Sequence, residues 1–520
     1  MQFKKNIGKV PWLPLIILGI VCLMTIGSSP LFQTNTWDDS NAMLTMGRSV
    51  IHGLVPYKDV IEQRGPFLYA IFALGATFKE TSFLGVFVLQ AINVLFIYIL
   101  AFKIANDFKE TVISPKWLAL FGPFALLSTS AFSLSGSPEE FAFTSVLYLL
   151  YVINHFRQDI ANIQLKTFFF LGLNLSFVFW NKYSMIGSFV LFFIWTAGVL
   201  IYRKQFVKLL QVVAASLLGF LSVTIIVLVY FFIHDAVKDL IQIYFIQNMT
   251  SYGKTDQTKL MQLWQILFLV AKEIQSHYIV AIIILLGWAK AIYKRENIAL
   301  EVVMLPSALL FVALQHWVIN YYNVIWMPFF AVALIRLMAF KLTSQANDRH
   351  VKLSIKLIIS FLVILMPFVN NQSLNRLVLK RAAQSVDGHQ YLAQPQFAYL
   401  MRHRMGQKDP KLLLINTIDK GFFLTTRVVP QTKYWHKLNM NYEQLPQMYQ
   451  SFEQSMRHKK VDFVIIRLKQ QPSNNKKIMQ QQISNAIDEH LRKSLFENYK
   501  VTTTVRNYND EFYVLMQEKR

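Results

Sequence analysis

Cysteine and charged residues are scarce in this chain of 520 residues. A single cysteine excludes both an intramolecular disulfide framework and a metal cluster built from cysteines. Charged residues make up 16 % of the chain and hydrophobic residues 54 %, whereas average soluble domains carry roughly 25 % charge. This composition argues against an ordinary soluble enzyme and favours a protein with several membrane spans.

The sequence also lacks the local motifs of nucleotide and zinc chemistry. It contains no Walker pattern, no Gly-x-Gly-x-x-Gly and no His-Glu-x-x-His. Nucleotide hydrolysis and zinc catalysis are therefore disfavoured. We predict no metal site and no required cofactor, and a divalent cation held by the acidic residues described below stays open as an alternative.

Long hydrophobic runs, by contrast, are abundant. An α-helix needs about 20 apolar residues to cross the hydrocarbon of a bilayer, and windows of that size predict about 11 transmembrane helices. The first run follows three lysines and shows no evident cleavage site, so we interpret it as a signal anchor. The predicted spans lie near residues 10–29, 82–105, 116–134, 140–156, 166–181, 184–202, 207–233, 277–293, 298–315, 321–340 and 352–369.

Basic residues predict the orientation of these spans. The chain carries a net charge of +23. With the N-terminus in the cytoplasm, most Lys and Arg of the short loops fall on the cytoplasmic side, as the positive-inside rule requires. The outer basic residues lie almost entirely in two long segments, 30–81 and 234–276. Aromatic and basic residues interleave in the second segment, which predicts either an interfacial helix or a packed segment.

An odd number of crossings places the C-terminal tail outside the cytoplasm. Residues 370–520 contain apolar runs at 412–415, 463–466 and 512–516 between helical patterns, which predicts a small extracytoplasmic α/β domain after a transmembrane domain over 1–369. Basic residues outnumber acidic ones in this tail. Such a surface favours anionic surroundings, such as lipid headgroups or a phosphate-rich wall polymer, and the alternative is a merely solvated basic surface.

The first outer loop, residues 30–81, is the most informative stretch of the chain. Loops of this length in compact proteins are usually functional. This one mixes acids, aromatics and turn residues, and it ends in an apolar half-span that is too short to cross a membrane. Its notable residues are, in chain order, Asp38, Asp39, Gly47, Gly53, Pro56, Tyr57, Asp59, Glu62, Arg64, Gly65 and Pro66.

The order of these residues resembles the membrane-embedded glycosyltransferases of the C-type fold. That clan includes the protein O-mannosyltransferases and the aminoarabinose transferases of lipid A. The spacing of Asp39, Gly47 and the Gly-x-x-Pro-Tyr-x-Asp run is similar to the bacterial family 39 branch associated with cell-wall polymers. The resemblance implies a C-type fold in the bacterial cell membrane, and it makes Asp39 a better match to the essential acid than Asp38.

Transfer of a sugar from a polyprenyl phosphate makes specific chemical demands. A base must take the proton of the acceptor hydroxyl, and cations must hold the phosphate as it leaves. We predict Asp39 as this catalytic base, with Asp38 as the second candidate. The alternative for Asp38 is an N-cap of a helix over residues 41–51. Arg64 is the first choice for the phosphate, because guanidinium binds oxyanions in a bidentate manner.

Further candidate residues lie in the outer loops, and each has a structural alternative. The two glutamates after Pro138 also suit the start of a helix, Lys182 also suits an interfacial anchor, and an aromatic belt explains the neighbours of His316. We predict Glu139, Glu140, Asp59 and Glu62 as ligands of the acceptor or sugar, and Lys182, His316 and Tyr322 as further ligands of the lipid phosphate.

These observations lead to one functional prediction and its rivals. We predict an inverting glycosyltransferase that moves a sugar from a polyprenyl-phosphate carrier to an extracytoplasmic acceptor, such as teichoic or lipoteichoic acid. Its partners would be the lipid-linked donor, the glycan acceptor, the bilayer, a carrier-loading glycosyltransferase and a flippase, and no nucleic acid. The alternatives are a polysaccharide polymerase and a lipid-linked oligosaccharide transporter or flippase, although a transporter is expected to carry paired halves and ionisable groups at mid-membrane.

Overall fold

The apolar stretches of the first part of the chain form helices. The computed structural model describes residues 11–32, 35, 37–108, 111–129, 135–156, 159–250, 258–314, 320–340, 349–369, 392–507 and 511–519. The α-helices before residue 370 are α1 (Trp12–Thr25), α2 (Asp38–Ile51), α3 (Pro66–Phe78), α4 (Leu84–Asn106), α5 (Pro115–Leu118), α6 (Phe121–Leu127), α7 (Pro138–His155), α8 (Leu165–Lys182), α9 (Gly187–Tyr202), α10 (Phe206–Ile233), α11 (Val237–Leu240), α12 (Asn248–Thr250), α13 (Lys259–Ser276), α14 (Tyr278–Tyr293), α15 (Ala299–Ala313), α16 (Met327–Met338) and α17 (Arg349–Val369).

Each predicted span coincides with a helix or with a closely spaced pair of helices. Within the described part of the chain, α4 and α10 are long and apolar enough to cross a membrane unaided. Two further pairs meet the same criterion only together: the stretch Leu165–Met185 with α9, bent by 118°, and α13 with α14, bent by 86°. The remaining apolar helices are shorter, so the number of 11 crossings stays a prediction.

Backbone contacts divide the chain into two compact units. The first comprises Met1–Leu31, Phe87–Ile225 and Gln257–Leu374, and the second comprises Phe32–Val86, Ile226–Asp256 and Asn375–Arg520. Most of the first outer loop therefore belongs to the same unit as the C-terminal segment. The domain boundary at residue 369 and the extracytoplasmic location of the tail stay predictions.

In the first unit, α8 and α10 approach each other through glycines. A Cβ atom on Gly172 would lie 1.9 Å from the carbonyl oxygen of Ser216, and one on Gly219 would lie 1.9 Å from that of Phe169. Small residues are the usual means by which membrane helices bring their backbones together. These two positions therefore fix the contact between α8 and α10.

A buried ion pair and its hydrogen bonds connect α7, α14, α15 and α16 of the first unit. Arg336 Nη2 on α16 lies 3.0 Å from Glu301 Oε2 on α15, and both side chains are buried. Trp288 on α14 donates from Nε1 to Glu301 Oε1 at 2.7 Å, and Arg336 also donates to the Asn154 side-chain oxygen at 2.8 Å. The additional hydrogen bonds satisfy charges whose desolvation would otherwise be costly.

The C-terminal segment of the second unit is built on a four-stranded sheet. Its strands are β1 (Leu412–Leu414), β2 (Phe463–Leu468), β3 (Tyr499–Arg506) and β4 (Phe512–Glu518). Their order is β1-β2-β4-β3, in which β1 and β2 are parallel and the other pairs antiparallel. The helices around them are Ala393–Tyr399, Phe422–Thr426, Pro446–Arg457, Lys476–Ala486 and Glu489–Asn498. The three apolar runs of the tail form β1, β2 and β4.

Helix α2 packs closely within the second unit. A Cβ on Gly47 would lie 2.5 Å from the carbonyl carbon of Phe72 on α3, so only glycine allows this approach of α2 to α3. On another side, the Thr45 hydroxyl donates to Asp419 Oδ2 at 2.9 Å. The buried Arg48 donates to the carbonyl oxygens of Phe423 at 3.2 Å and Val428 at 3.0 Å. These bonds attach α2 to the C-terminal segment.

Candidate active site

The two adjacent aspartates of the first loop lie in the first turn of α2. The helix begins at Asp38, and the preceding Trp37 has extended backbone and makes no capping bond with its side chain. The alternative of Asp38 as an N-cap is therefore wrong, because the helix starts three residues earlier than that alternative requires. Carboxylates in a first turn are favoured by the unpaired N–H groups and the helix dipole. The side chain of Asp38 lies outside the described residues.

Arg64 connects two predicted site carboxylates. Its guanidinium pairs with Asp39 through Nη2 and with Glu62 through Nη1. The Asp39 and Arg64 side chains are 16 % and 17 % exposed, whereas Glu62 is 2 % exposed. The outer part of the cluster, Asp39 with Arg64, is therefore open to a ligand. Glu62 forms its buried base.

Further hydrogen bonds hold the cluster of Asp39, Glu62 and Arg64 in position. The second carboxylate oxygen of Glu62 accepts the Arg64 backbone N–H at 2.9 Å and the Tyr69 hydroxyl at 3.2 Å. The buried Tyr57 donates from its hydroxyl to the Arg64 carbonyl at 2.5 Å. Tyr57 has a φ of 68°, a region that non-glycine residues adopt only when the surroundings enforce it. Asp59, in the same turn, is exposed and accepts the Val55 N–H at 2.7 Å.

Burial determines the electrostatics of Glu62. Desolvation raises the pKa of the Glu62 carboxyl, and the positive charge of Arg64 opposes that rise. Arg64 is thus the counter-ion of a carboxylate that has little access to water. The sequence predicts Glu62 and Asp59 as ligands of the acceptor or sugar. In the structure they contact protein groups, so a ligand-binding role for either residue stays a prediction.

Asp39 also lines a cavity of about 360 Å³ within the second unit. Trp37 joins Asp39 from the first loop. The other polar lining residues come from the C-terminal segment: Asn416, Thr417, Lys437, Asn439 and Arg467. The sequence predicts none of these five, because no local motif marks them and they lie hundreds of residues beyond Asp39.

A buried polar network lies close to these lining residues. Asp419 accepts the backbone N–H groups of Gly421 at 3.0 Å and Phe422 at 2.8 Å, and burial raises its pKa to about 6. The Asp419 N–H donates to His436 Nδ1 at 3.1 Å. Burial, together with a smaller contribution from the charge of Arg64, lowers the pKa of His436 to about 3. The neutral imidazole is therefore available as a hydrogen-bond acceptor.

In the first unit, the second acidic pair lies at the start of α7. Pro138 is the first helical residue, and Ser137 caps the helix by accepting the Glu140 N–H. The structural alternative for this pair, a helix start, is confirmed. Glu140 is fully buried and accepts the Gln90 amide at 2.9 Å and the Gly136 N–H at 3.0 Å.

Glu139 and Lys182 form an ion pair in the same unit. Lys182 Nζ lies 2.6 Å from Glu139 Oε1. The other oxygen, Glu139 Oε2, is buried without a hydrogen-bond partner among the described residues, and the same holds for Oδ1 of Asn181. Buried acceptors of this kind usually have a partner. The ligand roles predicted for Glu139, Glu140 and Lys182 stay predictions.

Two predicted residues are not described at the level of their side chains. His316 lies outside the described residues, and Tyr322 lies in the 3₁₀ helix Asn320–Ile325 with its side chain outside them. Across the residues that the structure does describe, no group of three or more His, Cys, Asp or Glu is placed to hold a metal ion.

Comparison with solved structures identifies the fold. The apo structure of ArnT from Cupriavidus metallidurans matches with a TM-score of 0.56 and 9 % identity, over 97 % of this chain and 97 % of that chain. The structure of the same protein bound to undecaprenyl phosphate matches with a TM-score of 0.56 and 10 % identity, over 98 % of each chain. The chain has the C-type glycosyltransferase fold.

The fold resemblance drawn from the first loop is therefore confirmed, and with it the multi-pass helical membrane architecture. No protein-family model and no curated protein matches the sequence. At 9–10 % identity the likeness to ArnT concerns the fold. A shared fold does not by itself imply a shared activity.

Proposed function

We propose that this protein is an inverting glycosyltransferase that moves a sugar from a polyprenyl-phosphate carrier to an extracytoplasmic acceptor. One observation carries the proposal: Asp39 and Arg64 form a partly exposed ion pair beside a polar cavity, in a chain with the C-type fold. One structure of the similar protein ArnT holds undecaprenyl phosphate, which supports a polyprenyl-phosphate donor here.

The proposed reaction is a single displacement. The acceptor hydroxyl oxygen forms a bond to the anomeric carbon as the bond from that carbon to the phosphate oxygen breaks. Asp39 takes the hydroxyl proton, and the electron pair of the broken bond leaves with the carrier phosphate. The carboxylate form of Asp39 is the form able to accept a proton, and it is also the form that pairs with Arg64.

Arg64 is the proposed ligand of the leaving phosphate. Its fork of N–H donors matches a phosphate oxyanion, and stabilising charge that develops on a leaving group is a large contribution to catalysis. Glu62 holds the guanidinium from its buried side. The guanidinium of Arg64 therefore stays in place when it binds the phosphate and Asp39 together. Lys182, His316 and Tyr322 remain further proposed ligands of the lipid phosphate, and Glu139 and Glu140 of the acceptor or sugar.

The proposed acceptor is an anionic wall polymer such as teichoic or lipoteichoic acid. The basic composition of the C-terminal segment supports this choice, because an exported cationic surface attracts anionic polymers. Such a reaction requires a separate glycosyltransferase that loads the carrier and a flippase that brings the loaded carrier to the outer leaflet. No nucleotide sugar is needed at that face.

The substitution Asp39→Asn tests the proposal. Asparagine keeps the shape of the side chain but cannot take a proton, so we expect transfer to fall by about 10²–10⁴-fold, the usual contribution of a general base. A strain that lacks the native protein is complemented with each variant at matched membrane levels. Mass spectrometry then measures sugar on extracellular polymers and polyprenyl-phosphate sugar in membrane extracts.

Asp235→Asn is the matched control, since Asp235 is a fully exposed acid in the same unit. We expect this control to restore the polymer sugar and to keep the lipid-linked pool low. The Asp39→Asn strain should instead accumulate the lipid-linked sugar and lack the polymer sugar. Full polymer glycosylation with Asp39→Asn would contradict the assigned base, and an unchanged lipid pool in the strain lacking the protein would contradict the donor class.

A further inference from the structure

The cavity beside Asp39 lies at a particular edge of the C-terminal sheet. Thr417 follows the carboxyl end of β1, and Arg467 is the second-last residue of β2. Since β1 and β2 are parallel, their carboxyl ends open at the same edge. Ligands of open α/β sheets bind in the crevice outside the carboxyl ends of parallel strands. The position of the cavity therefore fits a ligand site.

Side-chain bonds fix this edge of the sheet. Asn416 accepts the Arg467 N–H at 2.9 Å and donates to the carbonyl oxygens of Arg467 at 2.8 Å and Ala486 at 3.0 Å. All three bonds connect β2 and the helix Lys476–Ala486 to the residue before Thr417. This wall of the cavity is thus preorganised, because hydrogen bonds hold Asn416 and Arg467 in position before any ligand binds.

Two cations line the cavity, and one of them makes no direct ion pair with any residue that the structure describes. Arg467 is paired with Glu511 at 3.3 Å. The ammonium of Lys437 has no hydrogen bond or ion pair with any residue that the structure describes. Burial lowers the pKa of Lys437, and the neighbouring charge of Asp488 opposes that change. A partly buried cation without a partner is a binding position for an anion.

The remaining lining residues suit a hydroxylated ligand. Thr417 and Asn439 offer hydrogen-bonding groups, and Trp37 offers an aromatic side chain, an apolar surface with one N–H donor. A volume of about 360 Å³ lies at the lower end of the range for small-molecule pockets. It accommodates one sugar or polyol unit together with its anionic substituent.

We propose that this cavity is the acceptor subsite, in which Lys437 and Arg467 hold an oxyanion of the acceptor and a neighbouring hydroxyl faces Asp39. The inference rests on the proposed function, because it names the acceptor class of the same site. It assigns to the C-terminal segment the binding of a hydroxylated compound that carries a phosphodiester or a carboxylate.

Protection of an engineered thiol tests this subsite without any transfer reaction. The native Cys22 is 3 % exposed, so Asn439→Cys places an accessible thiol in the cavity wall. The full chain in lipid nanodiscs, without donor, reacts with a maleimide in the presence of glycerophosphoglycerol, glucuronate or glucose. We expect an anionic probe to slow labelling and glucose to have no such effect. The anion that protects identifies the oxyanion of the acceptor.

Charge variants in the Asn439→Cys background decide whether Lys437 binds the probe. With Lys437→Gln, we expect the concentration of anion needed for protection to rise about tenfold, as for loss of one charge-assisted hydrogen bond. The matched control Lys469→Gln removes an exposed cation that does not line the cavity, and protection should remain. The subsite is wrong if neither anion protects, or if Lys437→Gln leaves protection unchanged.

The outcome separates this inference from the proposed function. If protection depends on Lys437 but the protein shows no transfer activity, the subsite is supported and the proposed transferase function is contradicted. If transfer depends on Asp39 but no anion protects the Asn439→Cys thiol, the transferase function is supported and the subsite is contradicted.

Discussion

Arg64 carries two charge interactions that differ in their exposure to water. Its pair with Asp39 is open to ligands, while its pair with Glu62 is buried. Removing one partner of a buried ion pair leaves an uncompensated charge, which destabilises a protein far more than the loss of a surface pair. Arg64 should therefore contribute both to folding and to phosphate binding, and a double substitution can separate the two contributions.

We predict that Arg64→Met destabilises the protein by on the order of 3 kcal/mol, because Glu62 then lacks its counter-ion. The double variant Glu62→Gln with Arg64→Met should recover most of that stability and remain inactive in transfer. Thermal unfolding of the purified protein measures the first effect, and the polymer assay measures the second. A double variant no more stable than Arg64→Met would show that Glu62 is not the group being compensated.

The same pair of variants has an expected pH dependence. Burial already raises the pKa of Glu62, and loss of Arg64 removes a charge that opposes this rise. A carboxyl with a raised folded-state pKa favours folding when protonated, and that stability is lost as pH rises through the folded-state pKa. Arg64→Met should therefore be closer to wild type at pH 5 than at pH 8, whereas the double variant should not show this difference.

At the scale of elements, the contact between α8 and α10 depends on two glycines. We predict that Gly172→Ala lowers stability by about 1–3 kcal/mol, because its methyl group would overlap the Ser216 carbonyl and force the helices apart. The matched control is Gly198→Ala on α9, where a Cβ meets nothing within 4 Å.

Helix propensity predicts that the control Gly198→Ala changes stability in the opposite direction to Gly172→Ala. Replacing glycine by alanine in a helix interior is worth roughly 0.5–1 kcal/mol in favour of the helix. Gly198→Ala should thus leave the melting temperature unchanged or slightly raised, while Gly172→Ala lowers it. Equal melting temperatures for the two variants would mean that α8 and α10 do not make the close contact.

The sequence predicts the presence of most helices and strands better than it predicts the residues at which they begin and end. Apolar runs locate the span helices and the strands β1, β2 and β4, since each buries hydrophobic side chains. It does not mark β3, whose residues Tyr499–Arg506 are largely polar and half-exposed at the edge of the sheet. The sequence predicts a start of α2 at residue 41, whereas the helix begins at Asp38, directly after the extended Trp37.

The candidate site is predictable only where its residues lie in one motif. Asp39, Glu62 and Arg64 fall within the first outer loop, and the structure joins them in one ion-pair cluster. Arg467 reaches the cavity beside Asp39 through the pairing of β2 with β1, and Lys437 follows His436, which forms an isolated bridge to Leu414 of β1. Such long-range strand pairing has no local signal, so these two residues emerge from the fold alone.

At the scale of the whole molecule, the distribution of basic residues must agree with the predicted membrane topology. The net charge of +23 combines basic short loops on the predicted cytoplasmic side with a basic C-terminal segment on the other. The proposed reaction uses a donor in the outer leaflet. It therefore requires that the second unit, which contains both Asp39 and the C-terminal sheet, face away from the cytoplasm.

Cysteine accessibility tests this orientation, since the native Cys22 is buried. We predict that a membrane-impermeant maleimide labels Lys469→Cys in the C-terminal segment on intact cells. It should label Gln205→Cys, in the basic loop between α9 and α10, only after the membrane is permeabilised. Both positions are exposed, so a difference between them reports the side of the membrane and not burial. Labelling of Gln205→Cys but not Lys469→Cys on intact cells would place the second unit in the cytoplasm, where an acceptor outside the cell cannot reach Asp39.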